Sequence, residues 1–106
     1  MLVSGGKGKK IKIWNPKDGN LLKTLESDEM GEVNALCITD DSKKIVAIGT
    51  ENKLHIWKGF ELQFILDKYI NIEKIFISQK ENYITFKYYD LTYKTYHLSI
   101  EEKKIS

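Results

Sequence analysis

Two histidines, one cysteine, a pair of adjacent aspartates and a glycine–lysine run are the residues of this chain that could do chemistry. A histidine works as a general base only where a proton-bearing partner lies within hydrogen-bond reach. His55 and His97 both fall in β-type runs with no nucleophile motif beside them, and they read as surface or sheet-edge histidines. Cys37, set between Leu36 and Ile38, reads as a small buried hydrophobe. Asp40-Asp41 lacks the glycine and terminal glutamate of a calcium loop and reads as a solvated turn. Gly5-Gly6-Lys7-Gly8-Lys9-Lys10 has the glycines of a phosphate cradle, but it joins two strands instead of opening a helix. It also lacks the closing Gly-Lys-Ser/Thr. Metal ligands clustered at short spacing are missing. The expectation is a chain that is not an enzyme, with no metal and no cofactor.

Composition narrows the field further. The chain has 106 residues, 42% of them hydrophobic, enough for one packed domain. Apolar runs are far shorter than the roughly 20 residues that span a bilayer. The start, Met1 to Gly6, lacks the basic flank and long apolar region of a secretory signal. Cys37 has no second cysteine to pair with, so no disulfide framework exists. An intracellular, cytoplasmic setting is the expectation. Net charge is +2, and all 17 basic residues are lysine. Specific base readout leans on the fixed fork of donors that arginine carries, so the composition argues against a nucleic-acid partner.

Any such side chains must be positioned by β-strands, because helical periodicity is weak throughout. Strands are predicted at Leu2–Gly5, Ile11–Trp14, Leu21–Leu25, Val33–Thr39, Ile45–Gly49, Lys53–Trp57, Leu62–Leu66, Ile72–Ser78, Tyr83–Tyr88 and Tyr93–Ser99. Asp18-Gly19 is a hairpin signal, and the only proline, Pro16, sits in the same turn, where its missing N–H harms no ladder. The strands then repeat. LVSGGKGKKIKIW at 2–14 aligns without gaps to IVAIGTENKLHIW at 45–57, matching Val3 with Val46, Gly6 with Gly49, Lys10 with Lys53, Ile13 with Ile56 and Trp14 with Trp57. That offset is 43 residues, and VNALCI at 33–38 aligns with IEKIFI at 72–77 at an offset of 39. Periods near 40–45 holding four strands are those of propeller blades.

The segment CITDDSKKIVAIGTENKLHIW at 37–57 resembles the core of the WD-repeat family. Thr39 to Ser42 stands at that family's turn, Val46 to Thr50 is similar to its second strand, and Leu54-His55-Ile56-Trp57 to its third. Val3 to Gly6 and Ile11 to Trp14 resemble the same strands of a preceding blade. Tyr96 falls where a third tryptophan would sit. The departures are specific. The Trp-Asp pair is Trp14-Asn15 and Trp57-Lys58, Gly8 and Glu51 replace the tight-turn aspartate, and no Gly-His pair precedes either complete inner strand. The family's buried His–Asp–Ser/Thr–Trp network therefore cannot form as usually drawn, and apolar packing must carry more of the fold.

The resemblance implies an all-β fold, an incomplete β-propeller of WD-repeat type with four-stranded antiparallel blades. On that template residues 1–27 form an incomplete blade, 32–67 a complete one, 70–100 an incomplete one and 101–106 a polar tail. A closed ring has about 4–8 blades. Two blade faces rich in Val, Ile, Leu and Trp would then meet water, so companion blades or the rest of a longer chain are expected to close the ring. The resemblance implies a non-catalytic scaffold that binds other proteins through the loops of one face. Those loops carry Lys7, Lys9 and Lys10, then Asp28, Glu29 and Met30, then Glu51 and Asn52, followed by 67–71 and 90–92. Met30 is the expected exposed apolar anchor. Two alternatives remain open: a nucleic-acid binder stacking bases on Tyr88, Tyr89 and Tyr93, or a permanent structural subunit of a cytoskeletal or coat complex.

Overall fold

The computed structural model of the chain describes residues 2–5, 9–39, 44–78 and 82–106. Three antiparallel sheets form along the chain. β1 (Leu2–Ser4), β2 (Lys10–Trp14) and β3 (Leu21–Glu26) make the first. β4 (Val33–Ile38), β5 (Lys44–Gly49), β6 (Leu54–Lys58) and β7 (Glu61–Leu66) make the second. β8 (Ile72–Ser78), β9 (Tyr83–Tyr88), β10 (Tyr93–Ser99) and β11 (Lys104–Ile105) make the third. Each sheet is a meander in which consecutive strands pair.

Alternation explains the strands and then the stacking. In β2, Lys10 and Lys12 are exposed while Ile11 and Ile13 are buried, a half-buried strand with period two. β5 and β6 are buried on both faces instead, from Ile45 to Gly49 and from Leu54 to Trp57. That pattern belongs to a sheet with a neighbour on each side. Alternate residues of the second sheet enter different cores. Val46, Ile48, Leu54 and Ile56 pack with Ile75, Ile84, Phe86 and Leu98 of the third sheet. Ile45, Ala47 and Trp57 pack with Ile11, Ile13 and Leu25 of the first. Each fully buried Ile or Leu contributes about 1.5–3 kcal/mol, so the stack is held by side chains that period two sends to opposite faces. The inner strands β4 and β8 lie side by side, with β1 also beside β4.

The repeat is visible in fine detail. A register irregularity falls between Ile13 and Trp14 where β2 pairs β3, and again between Ile56 and Trp57 where β6 pairs β7. Trp14 faces Leu2 across the ladder as Trp57 faces Ile45. Trp57 is buried by the first sheet, whereas Trp14, on the outer face, is half-buried and donates from Nε1 to Ser4 Oγ at 3.0 Å. Residue 47, the equivalent of Ser4, is alanine, so that Ser–Trp pair has no copy in the second sheet.

Two expectations are corrected. Residues 101–106 are not a polar tail. Leu98 pairs Ile105 and Ser99 pairs Lys104, while His97 and Ser106 exchange backbone bonds of 2.7 and 2.9 Å. A two-residue strand with one inward side chain, Ile105, leaves no periodic trace in a sequence, so the third sheet is completed to four strands without a pattern to announce it. Nor are both end faces rich in Val, Ile, Leu and Trp. The outer face of the third sheet mixes the exposed Phe76, Tyr83 and Tyr93 with Lys74, Thr85, Lys87 and Thr95. Cys37 is half-buried against the core shared by the second and third sheets. Gly6, Lys7 and Gly8, and the turn residues Asp40 to Lys43, lie outside the described residues.

Candidate protein-interaction face

The loops β1–β2, β3–β4, β5–β6, β7–β8 and β9–β10 emerge on one side of the stack and are tied to each other through the backbone. Ser27 N donates to Lys9 O at 3.4 Å, Thr50 N to Glu32 O at 2.9 Å, Tyr69 N to Asn52 O at 3.1 Å and Tyr89 N to Asn71 O at 3.0 Å. Lys9, Asn52 and Leu91, one per sheet, all sit at positive φ of 63°, 60° and 71°. They are separated by the same 43 and 39 residues that align the strands. A repeated left-handed residue thus closes the equivalent hairpin of every sheet, and the bonded loops form a continuous ridge.

Most of the expected binding residues stand on that ridge. Lys9, Lys10, Asp28, Glu29, Glu51 and Asn52 are exposed, and Lys7 lies outside the described residues. Glu29 Oε1 accepts from Lys53 Nζ at 2.9 Å. This hydrogen bond and charge pairing hold the carboxyl below its ordinary range and the ammonium above its own. Lys10 pairs Glu26 at 3.5 Å. Opposite charges thus answer each other along the ridge.

Met30 is not the exposed anchor. It is 1% exposed and packs with Ile11, Ile45 and Trp57 between the first two sheets. Gly31, at φ 68°, reverses the chain after it. Gly49 lets the loop close in, since a Cβ there would lie 2.0 Å from Met30 O. Met30 and Gly31 are therefore folded under, while Glu26, Asp28, Glu29 and Glu32 face water.

His55 is likewise no surface residue. It is fully buried, and its ring stacks on Trp57 with centroids 5.5 Å apart and planes 20° from parallel. Nε2 meets Ser27 Oγ at 2.8 Å and Nδ1 meets Lys53 O at 3.2 Å. A carbonyl can only accept, so Nδ1 carries the proton and Nε2 accepts from the Ser27 hydroxyl. Burial holds the imidazole below the ordinary histidine range, and hydrogen bonding to the Lys53 carbonyl only partly opposes this. A serine and histidine at this distance have the geometry of a nucleophile and its base. Here the ring is sealed in the core and oriented by a backbone carbonyl, and Ser27 Oγ also accepts from Glu29 N at 3.3 Å. The pair is suited to pinning the acidic loop.

Sequence reasoning missed the apolar end of the ridge. Ile70 is 53% exposed, Tyr89 63% and Leu91 72%, and an open groove beside them is lined by Ile70, Asn71, Tyr88, Tyr89 and Asp90. A leucine in left-handed conformation costs roughly 1–2 kcal/mol. Asp90 shapes the turn, its Oδ1 accepting from Thr92 N at 3.0 Å and Thr92 Oγ1 at 2.6 Å. The available signal was an Asp-Leu-Thr hairpin tip, with leucine where Asn or Gly suits the backbone. The tyrosines proposed for base stacking do not share one surface. Tyr88 packs on the core, Tyr89 stands on the ridge and Tyr93 lies on the outer face of the third sheet, opposite Lys87.

Comparison with known proteins agrees with this architecture. The crystal structure of a mitotic checkpoint complex contains a chain that superposes with a TM-score of 0.72 at 16% identity, over 93% of this chain and 32% of that one. At that identity the likeness speaks for the fold. In sequence, the chain is 30% identical over 56 residues to cilia- and flagella-associated protein 52 of Chlamydomonas reinhardtii. It is equally similar, over 56 residues, to autophagy-related protein 16 of Arabidopsis thaliana. Protein LST8 homolog of Drosophila melanogaster is 39% identical over 49 residues. These alignments cover 53%, 53% and 46% of this chain but 9%, 11% and 16% of those proteins. No family model matches. The fold and loop ridge define a stack of propeller blades. In its fold and its repeats the chain resembles the WD-repeat β-propellers, in degenerate form.

Proposed function

We propose that the chain is a non-catalytic platform for protein–protein interaction, one part of a WD-repeat propeller within a larger intracellular, cytoplasmic assembly, with companion blades completing the ring. The observation that carries this reading is the backbone-tied ridge, which presents Ile70, Tyr89 and Leu91 beside the charged Lys9, Lys10, Asp28, Glu29 and Glu51. Exposed aromatic and aliphatic side chains on a rigid support are the usual anchors of an interface, and a charged surround excludes unmatched partners. Loops bonded to each other lose little conformational freedom on binding. The partner is a protein, and its identity follows from experiment.

Leu91→Asn copies Asn52 at the equivalent turn, which removes the exposed leucine while relieving its backbone. The variant is expected to be as stable as the wild type or more so, by about 1 kcal/mol. Combined with Ile70→Asp it is expected to lose the proteins that co-purify specifically with the tagged wild-type chain from native extract. Undiminished recovery of the same proteins by the folded double variant would sink the reading.

A further inference from the structure

Ladder register fixes which side chains share each end face of the stack. On the outer face of the third sheet, cross-strand rows run Lys74–Lys87–Tyr93 and Phe76–Thr85–Thr95, with Tyr83 beyond them. On the outer face of the first sheet they run Ser4–Lys12–Thr24 and Lys10–Glu26. The 39-residue offset that aligns β4 with β8 also aligns β5 with β9 and β6 with β10. It sets Lys74, Lys87 and Tyr93 at the positions of Ala35, Ile48 and Leu54, which the second sheet buries against the third. In the repeat this is a covered face. Phe76, Tyr83 and Tyr93, all exposed, supply the apolar area that a cover would bury.

Charge decides what the cover must be. Lys87 Nζ pairs Glu73 Oε2 at 3.1 Å, and that hydrogen bond holds the ammonium above its ordinary range. Among the described residues no carboxylate pairs Lys74. The first sheet's outer face stands likewise, since Glu26 pairs Lys10 at 3.5 Å and leaves Lys12 unanswered among the described residues. A second copy of the chain could meet the third sheet through its own first sheet or its own third. Either way an unanswered ammonium would face another. Burying a charge without its counterpart is strongly unfavourable, and like charges across an interface reject a wrong partner. We propose that the third sheet docks a companion blade of different sequence, which packs on Phe76, Tyr83 and Tyr93 and brings a carboxylate to Lys74. The ring is then completed by unlike blades and not by copies of this chain. This inference rests on the companion blades of the proposed function and names their chemistry. The seam between the first and second sheets already holds a lysine in this manner, with Lys53 Nζ on Glu29 Oε1 at 2.9 Å.

Carbodiimide treatment of the full-length protein, in the assembly in which it occurs, couples amines to carboxylates already in contact. Lys74 is expected to couple to an aspartate or glutamate of a peptide outside residues 1–106. Lys74→Glu is expected to open the face, so that Tyr93 iodinates about tenfold faster or more, whereas Lys74→Arg keeps it covered. Amide-exchange protection of β5 and β6, read in the same samples, reports that the stack itself is formed. Coupling of Lys74 to Glu73 alone, or to a second copy of the chain in isotopically mixed samples, would overturn the inference and leave the companion blades standing. So would a folded Lys74→Glu variant in which Tyr93 stays covered. Acylation of Lys74 as fast as the turn residue Lys17, with β5 and β6 protected, would remove the companion blade from this face as well.

Discussion

A neutral histidine inside an apolar stack makes stability depend on pH in a definite direction. Unfolded, the His55 ring titrates near about 6.5, whereas in the fold burial makes it refuse the proton. The unfolded state therefore binds more protons over the interval between the two values. The stabilising contribution is complete above the unfolded pKa and is lost as pH falls through the folded one. Protonated Nε2 could no longer accept from Ser27, so the acidic loop would loosen together with the ring. Glu29, which carries opposite charge nearby, and the Lys53 ammonium pull this titration in opposite directions without reversing it. Denaturant titrations between pH 8 and pH 5 are expected to show a declining midpoint, and His55→Gln should flatten that decline. An unchanged slope in the variant would assign the effect to other groups. The serine contact came from residues 28 apart, which no strand pattern pairs.

Strands as units differ in how firmly they are held. β11 depends on two ladder positions and on the side chain of Ile105, which packs against the large core from the rim. Ile105→Lys would place a charge against that core, and about 1–3 kcal/mol of local stability should go with it. The expected readout is faster exchange of the His97 amide, which donates to Ser106 O, with β5 and β6 amides unaffected. Equal acceleration throughout would mean that the rim strand and the core unfold as one unit. The first ten strands could be read from apolar runs, alternation and the turn residues between them. β11 could not, because its two residues make a single period that nothing repeats. The 43-residue offset similarly exposed Trp14 and Trp57 as equivalents, yet it could not show that one is covered and the other open.

The molecule as a whole is a layered stack, and its stability should be graded accordingly. Amides of β5 and β6, covered on both sides, are expected to exchange most slowly, and those of β1 and β11, at free edges, most quickly. Uniform protection would contradict a stack in which the middle sheet alone has two packed neighbours. Period-two alternation and the repeat spacing were enough to establish β-strands, their grouping by four and the kinship of the blades, since these follow from local backbone geometry. Burial of Met30 and His55 and the ridge of bonded loops depend on which sheets lie against which. Those are contacts between residues distant along the chain, and an amphipathic strand reads the same in sequence whether its neighbour is another sheet or water.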